Sequence, residues 1–188
     1  MIKQHEKRDD LIKEIIALEL EMFGNVKARE HASCQELPET FKTMRWMAHS
    51  VLSEDTLASY LEDLMQAVRA GRNLMTEKYA RMESLIPPLK SRPESIEIID
   101  EIAGIEEAWM KEFSHKYPEI VRGEASGFGT YFRCELETYS DRTLELYLGD
   151  VTHARTRGIN LAEQSYANLF GKLGYESLDD VVRKTKKQ

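Results

Sequence analysis

The chain has 188 residues, 41% hydrophobic and 31% charged, with a net charge of −7. That is the composition of an ordinary soluble domain, and the acidic balance argues against a broad nucleic-acid surface, which needs clustered Lys and Arg. No apolar stretch is long or clean enough for a signal peptide or a membrane span, so the expected compartment is the cytosol.

The polar start, Lys3 to Asp10, allows Asp9 or Asp10 to cap a first helix running to about Phe23. Pro38 suits the first turn of a second helix through Trp46 to about Ser50. Ser53 caps a third, with Glu54 and Asp55 in its first turn, and Gly71 ends it. Asn73 caps a fourth, which runs out near Pro87-Pro88. Residues 86–92 form a linker. Pro93 opens a long helix that stops near Tyr117-Pro118, and a Gly-rich stretch from Gly123 to Gly129 leads into a helix through Arg133 and Leu136. Ser140 starts the next and Gly158 ends it. Asn160 caps another, with Glu163 completing a capping box and Gly174 closing it. Ser177 begins a short last helix over about 177–186, followed by a basic tail that reads as a frayed end. Val, Ile and Thr nowhere alternate with polar residues long enough for a strand, so the expected class is all-α.

The order of elements repeats. Residues 53–82 and 140–169 align without a gap at an offset of 87, with 12 identities in 30 positions. The expected architecture is two tandem copies of a roughly four-helix unit, residues 9–85 and 93–174, related by a pseudo-twofold axis and packed as one domain. Cys34 and Cys134 are not equivalent under this offset, which fits reduced thiols better than a disulfide framework.

Several runs carry a family resemblance: Leu18-Glu19-Leu20-Glu21-Met22-Phe23, Ala32-Ser33-Cys34-Gln35, the stretch from Gly71 to Met82, and Glu137-Thr138-Tyr139-Ser140 followed by Thr143-Leu144-Glu145-Leu146-Tyr147. Over nearly its whole length the chain resembles the bacterial family catalogued as domain of unknown function 4125. The resemblance implies a bacterial, soluble, mostly helical protein, with no activity, cofactor or catalytic residue attached.

The shared residues divide by role. Gly71/Gly158 and Asn73/Asn160 read as helix punctuation, and Leu57, Leu61, Leu64 and Val68, with Leu144, Leu148 and Val151, read as core. Thr56, Tyr60, Asp63 and Ala67 make a second stripe that recurs unchanged as Thr143, Tyr147, Asp150 and Ala154, either as a helix contact or as the lining of a shared cavity. Glu19 sits mid-arc among Ile12, Ile15, Ile16, Met22 and Phe23, and Glu106 sits likewise among Ile99, Ile102, Trp109, Met110 and Phe113. Each is therefore expected to point inward, where a carboxylate must find donors, take up a proton or bind a cation.

Metal signals are weak. Glu112-x-x-His115 and Asp150-x-x-His153 have di-iron spacing, but five His and 33 acids in 188 residues give about one such pair by chance. His31-x-x-Cys34 is weaker still, leaving Glu19 and Glu106 as the only metal candidates, for a divalent ion if any. The halves also differ: Arg72, Glu77, Lys78 and Arg81 face Ile159, Gln164, Ser165 and Asn168 in the alignment, and Arg45 and His49 face Phe132 and Leu136. These residues read either as a solvated, salt-bridged face or as a basic lip over Glu19, with Arg45 as the natural anchor for an anion.

Two functions follow. One is a non-catalytic module that binds a small anionic ligand or a protein partner between its copies through Glu19, Glu106, Arg45, Tyr60, Asp63, Tyr79, Tyr147, Asp150, Tyr166, Arg72 and Lys78. The other is an enzyme working through Glu19 and Glu106 on a small anionic substrate, with or without a divalent metal.

Overall fold

The computed structural model describes residues 2–26, 37–121 and 127–186. Those residues form nine α-helices and no strand: α1 Ile2–Gly24, α2 Pro38–His49, α3 Glu54–Arg69, α4 Leu74–Met82, α5 Pro93–Lys116, α6 Phe128–Leu136, α7 Asp141–Thr156, α8 Leu161–Lys172 and α9 Leu178–Thr185. None is long and apolar enough to cross a membrane.

Local chemistry sets most boundaries. Ser53 and Ser140 accept from the amides of Thr56 and Thr143, at 3.3 and 3.2 Å. Asn73 and Asn160 accept from Thr76 and Glu163, each at 2.9 Å. These side chains satisfy amides that the first helical turn leaves without partners. The same asparagines also donate backwards, Asn73 to the Met22 carbonyl (2.8 Å) and Asn160 to the Trp109 carbonyl (3.0 Å), which locks each cap to an earlier long helix. After α3 and α7 the chain turns through Gly71 (φ 67°) and Gly158 (φ 66°). The amides of Arg72 and Ile159 then return to Ala67 and Ala154, as left-handed helix ends require.

Two boundaries and one cap differ from expectation. α1 begins at Ile2, because residues 2–8 are helix-compatible and Asp9 and Asp10 lie on its exposed side. α4 ends at Met82, well before Pro87-Pro88: Ser84 takes a left-handed conformation (φ 55°) and the Leu85 amide closes onto Ala80. The Glu163 carboxylate pairs with Lys116 (2.7 Å), so only the Asn160 half of the expected capping box is made.

α1 packs on α2, α3 and α4, and α5 packs on α6, α7 and α8. Contacts α3–α7, α2–α8 and α4–α6 join these groups. One core runs through them, with Ile15, Leu57, Leu64, Ile102, Leu136 and Leu144 fully buried. Burying each of these side chains contributes about 1.5–3 kcal/mol. Val68, expected in the core, is exposed: Ala67 takes the inward position of that last turn. Cys134 is a buried free thiol. α9 covers a smaller cluster around Phe113, Tyr117 and Leu178.

The α3–α7 contact is made by crossed caps. Asp63 on α3 accepts from the Ser140 amide (2.9 Å) and the Thr143 hydroxyl (2.6 Å) at the start of α7. Asp150 on α7 accepts from the Ser53 amide (2.9 Å) and the Thr56 hydroxyl (2.7 Å) at the start of α3. Each carboxylate thus sits at the positive end of the other helix.

Candidate functional site: a balanced charge cluster beside a cavity

α2 presents Arg45 and His49 on one inward face, four residues apart. Arg45 grips Glu19 of α1 with two prongs, Nε to Oε2 at 2.8 Å and Nη2 to Oε1 at 2.5 Å. Its remaining valence reaches Glu135 of α6, at 2.8 and 3.2 Å. Lys78 of α4 donates to Glu135 (2.9 Å) and to the Tyr131 hydroxyl (2.6 Å). Tyr60 of α3 donates to Glu19 (2.9 Å) and Tyr139 to Glu135 (3.1 Å). His49 Nε2 stands 3.2 Å from both Glu19 oxygens.

All four charged residues of this cluster are buried: Glu19 0%, Lys78 2%, Glu135 5% and Arg45 6% exposed. Two carboxylates and two cations cancel, which is what makes such burial tolerable. Burial alone would raise the carboxyl pKa of Glu19; Arg45 and then His49 outweigh it and hold the group at about 2. Burial opposes ionisation of Glu135 too, but Arg45 and Lys78 hold it well below the usual carboxylate range. In the other direction, burial disfavours the cations, but Glu135 keeps Lys78, and Glu135 with Glu19 keep Arg45, firmly charged.

A cavity of about 320 Å³ opens beside this cluster, between α2, α5, α6, α7 and α8. Met44, Met47, Leu52, Met110 and Leu161 give it an apolar wall. Arg45, His49 and Glu135 form its polar end, and Glu106 of α5 also lines it. Glu106 is 7% exposed, and its one hydrogen bond comes from the Tyr147 hydroxyl, at a long 3.4 Å. Burial raises its pKa from an ordinary 4.5 to about 7, with the tyrosine pulling slightly the other way. His49 Nδ1 is buried without a hydrogen-bond partner.

The sequence-derived residues fall into four groups. Glu19, Arg45, Tyr60 and Lys78 meet in the cluster, and Arg45, Glu106, Tyr147 and Tyr166 line the cavity. Asp63 and Asp150 cap helices. Tyr79 packs against Phe23, and Arg72 pairs with Glu77 (2.6 Å) beside a separate depression.

The basic lip is not built. Lys78 turns inward to Glu135, Arg81 pairs with Glu137 (2.7 Å) and Arg72 with Glu77, because an acid lies within reach of each. Arg45 is likewise no free anion anchor, since two carboxylates already occupy it. Sequence reasoning missed Glu135, Tyr131 and Tyr139. The available signal was Glu135 opposite Ala48 in the 87-residue alignment, a charge with no counterpart.

Among the described residues no three His, Cys, Asp or Glu side chains gather to hold a metal ion. Both Glu19 oxygens accept from Arg45, whose charge opposes a cation there. Asp150 is engaged at the α3 cap and His153 is exposed. Glu112 accepts from Asn160 (3.3 Å), and His31 and Cys34, like Gly123 to Ser126, lie outside the described residues.

No curated protein and no solved structure matches this chain. A family model does, over residues 9–183, and the chain belongs to the family described as "Protein of unknown function (DUF4125)".

Proposed function

We propose that this protein binds a small, largely apolar molecule in the cavity between α2, α5, α6, α7 and α8, with Glu106 as the polar anchor. The observation that carries this reading is a buried carboxylate with a single 3.4 Å hydrogen bond on the wall of a cavity of about 320 Å³. Ligand pockets combine apolar lining and a few convergent polar groups in the same way. The reading includes a duplicated architecture, residues 9–85 and 93–174, with the ligand held where the copies meet. The crossed Asp63 and Asp150 caps, the paired Asn73 and Asn160 bonds and the Tyr60–Glu19 and Tyr147–Glu106 pairs support it, each recurring at a spacing of 87. An anion held by Arg45 fits less well, because that guanidinium is saturated.

A ligand-observed NMR screen of neutral, cationic and anionic fragments tests the reading. Ala48 lines the cavity and is exposed, so Ala48→Trp should block entry with little effect on folding. Fragments that bind the wild type and not the equally stable variant support the cavity as the site. Equal binding to both, or no binding at all, refutes it.

One observation favours a catalytic reading. His49 Nδ1, without a partner, lies on a residue that lines the same cavity as Glu106. Glu19 would orient the imidazole through Nε2, and His49 and Glu106 would then exchange protons with a bound substrate. In that case Glu19 is a positioning residue rather than the reacting acid expected from the sequence.

A further inference from the structure

We infer that the cavity is a site for an organic cation, a small amine or alkylammonium whose charged head pairs with Glu106 and whose body lies among aromatic rings. The inference deepens the ligand-binding reading and rests on it.

Charge balance is the first support. Arg45 and Lys78 are matched by Glu19 and Glu135 within hydrogen-bonding distance. Arg45 is the only arginine or lysine lining the cavity among the described residues, and it is taken. No cation among the described residues pairs with Glu106, whose surroundings act on it through burial and Tyr147 alone. On α6, Glu135 belongs to the balanced cluster, and Arg133 pairs with Asp100 on the outer face. On α7, Tyr147 gives the one weak hydrogen bond, while Arg155 turns to Glu101 (3.7 Å). On α8, Glu163 holds Lys116, and Tyr166 is a neutral phenol. On α2, His49 faces Glu19. Among the described residues, ionised Glu106 is therefore the charge on the cavity wall without a counter-charge, and a guest that balances it must be positive.

The second support is the wall itself. Phe128, Phe132, Tyr139, Tyr147 and Tyr166 line the cavity. Phe128 stacks on Phe132 (5.6 Å), and Phe132 meets Tyr147 edge-on (6.1 Å), which fixes the rings as a chamber. Ring faces carry negative electrostatic potential, so a carboxylate set among rings favours an ammonium group over a neutral or anionic one. The protein already uses this contact nearby, with Lys78 Nζ 3.9 Å over the Tyr131 ring. The raised pKa of Glu106 adds a signature: a cation needs the carboxylate, so binding below neutral pH must expel a proton.

Titration calorimetry on the full chain tests this with benzylamine, benzyl alcohol and benzoate, at pH 6 and pH 8. Benzylamine should bind at least about tenfold more tightly than benzyl alcohol at pH 8. It should weaken by about tenfold at pH 6, where only a minor fraction of Glu106 is ionised. At pH 6 the heat should depend on the buffer, reporting proton release. Glu106→Gln should abolish the preference for the amine. Benzyl alcohol or benzoate binding as well as benzylamine in the wild type overturns the cation inference and leaves the cavity reading standing. If a wider neutral set also fails to bind, both fall.

Discussion

Glu19 and Glu106 stand 87 residues apart, each bonded by a tyrosine that is itself 87 residues from the other, yet they ionise in opposite directions: about 2 for Glu19 and about 7 for Glu106. The difference is in their neighbours. Glu19 has Arg45 and His49, and the positions 87 residues beyond those two hold Phe132 and Leu136. One acid is neutralised by a fixed partner and the other is left beside a cavity. Divergent surroundings for like groups are how proteins assign distinct proton-transfer roles.

Glu106 makes stability depend on pH. Its folded pKa lies above the ordinary value, so its contribution is full below about pH 4.5 and is lost as pH rises through about 7. The shift corresponds to about 3 kcal/mol. Urea unfolding of Glu106→Gln should match the wild type near pH 4 and exceed its stability by up to about that amount at pH 8. A constant difference across this range contradicts the assignment.

Glu19 works with the reverse sign. Its folded pKa is depressed, so its stabilisation is present above about pH 4.5 and is lost as pH falls through about 2. Glu19→Gln removes one partner of a buried ion pair and should cost about 3–5 kcal/mol at neutral pH. A cost under about 0.5 kcal/mol in denaturant unfolding would be that of an exposed residue.

Tyr147→Phe should raise the Glu106 pKa still further, because the tyrosine hydroxyl is the group that stabilises the carboxylate. Carbon-13 NMR of the glutamate carboxyls reads this directly. A downward shift would mean that Tyr147 accepts from a protonated Glu106 instead of donating to it.

The crossed caps predict a crossed response. Asp63→Ala should cost about 1 kcal/mol and loosen the first turn of α7, and Asp150→Ala should do the same to the first turn of α3. Amide hydrogen exchange locates each effect. Faster exchange confined to the mutated helix would contradict the arrangement.

What was legible in the sequence was local. Ser53, Asn73, Ser140 and Asn160 cap helices because a side-chain oxygen in that position needs only the next turn to act on. The inward direction of Glu19 and Glu106 was readable from helical spacing alone. The partners of Glu19 were not. Arg45 lies 26 residues away and Glu135 a further 90, so their meeting depends on how α1, α2 and α6 pack. Lys78 reads as a surface residue because lysine is almost never fully buried unless paired, and its pair, Glu135, lies 57 residues on. Val68 reads as core from spacing that ignores where α3 ends.

The quartet of Glu19, Arg45, Glu135 and Lys78 draws one member from each of four helices. A helix that slipped by one turn would travel about 5.4 Å and strand a charge in oil. The quartet therefore works as a key between α1, α2, α4 and α6, rejecting misregistered packings that grease alone would tolerate. It also constrains substitution: drift of any one member to a neutral residue leaves a net charge buried among the other three.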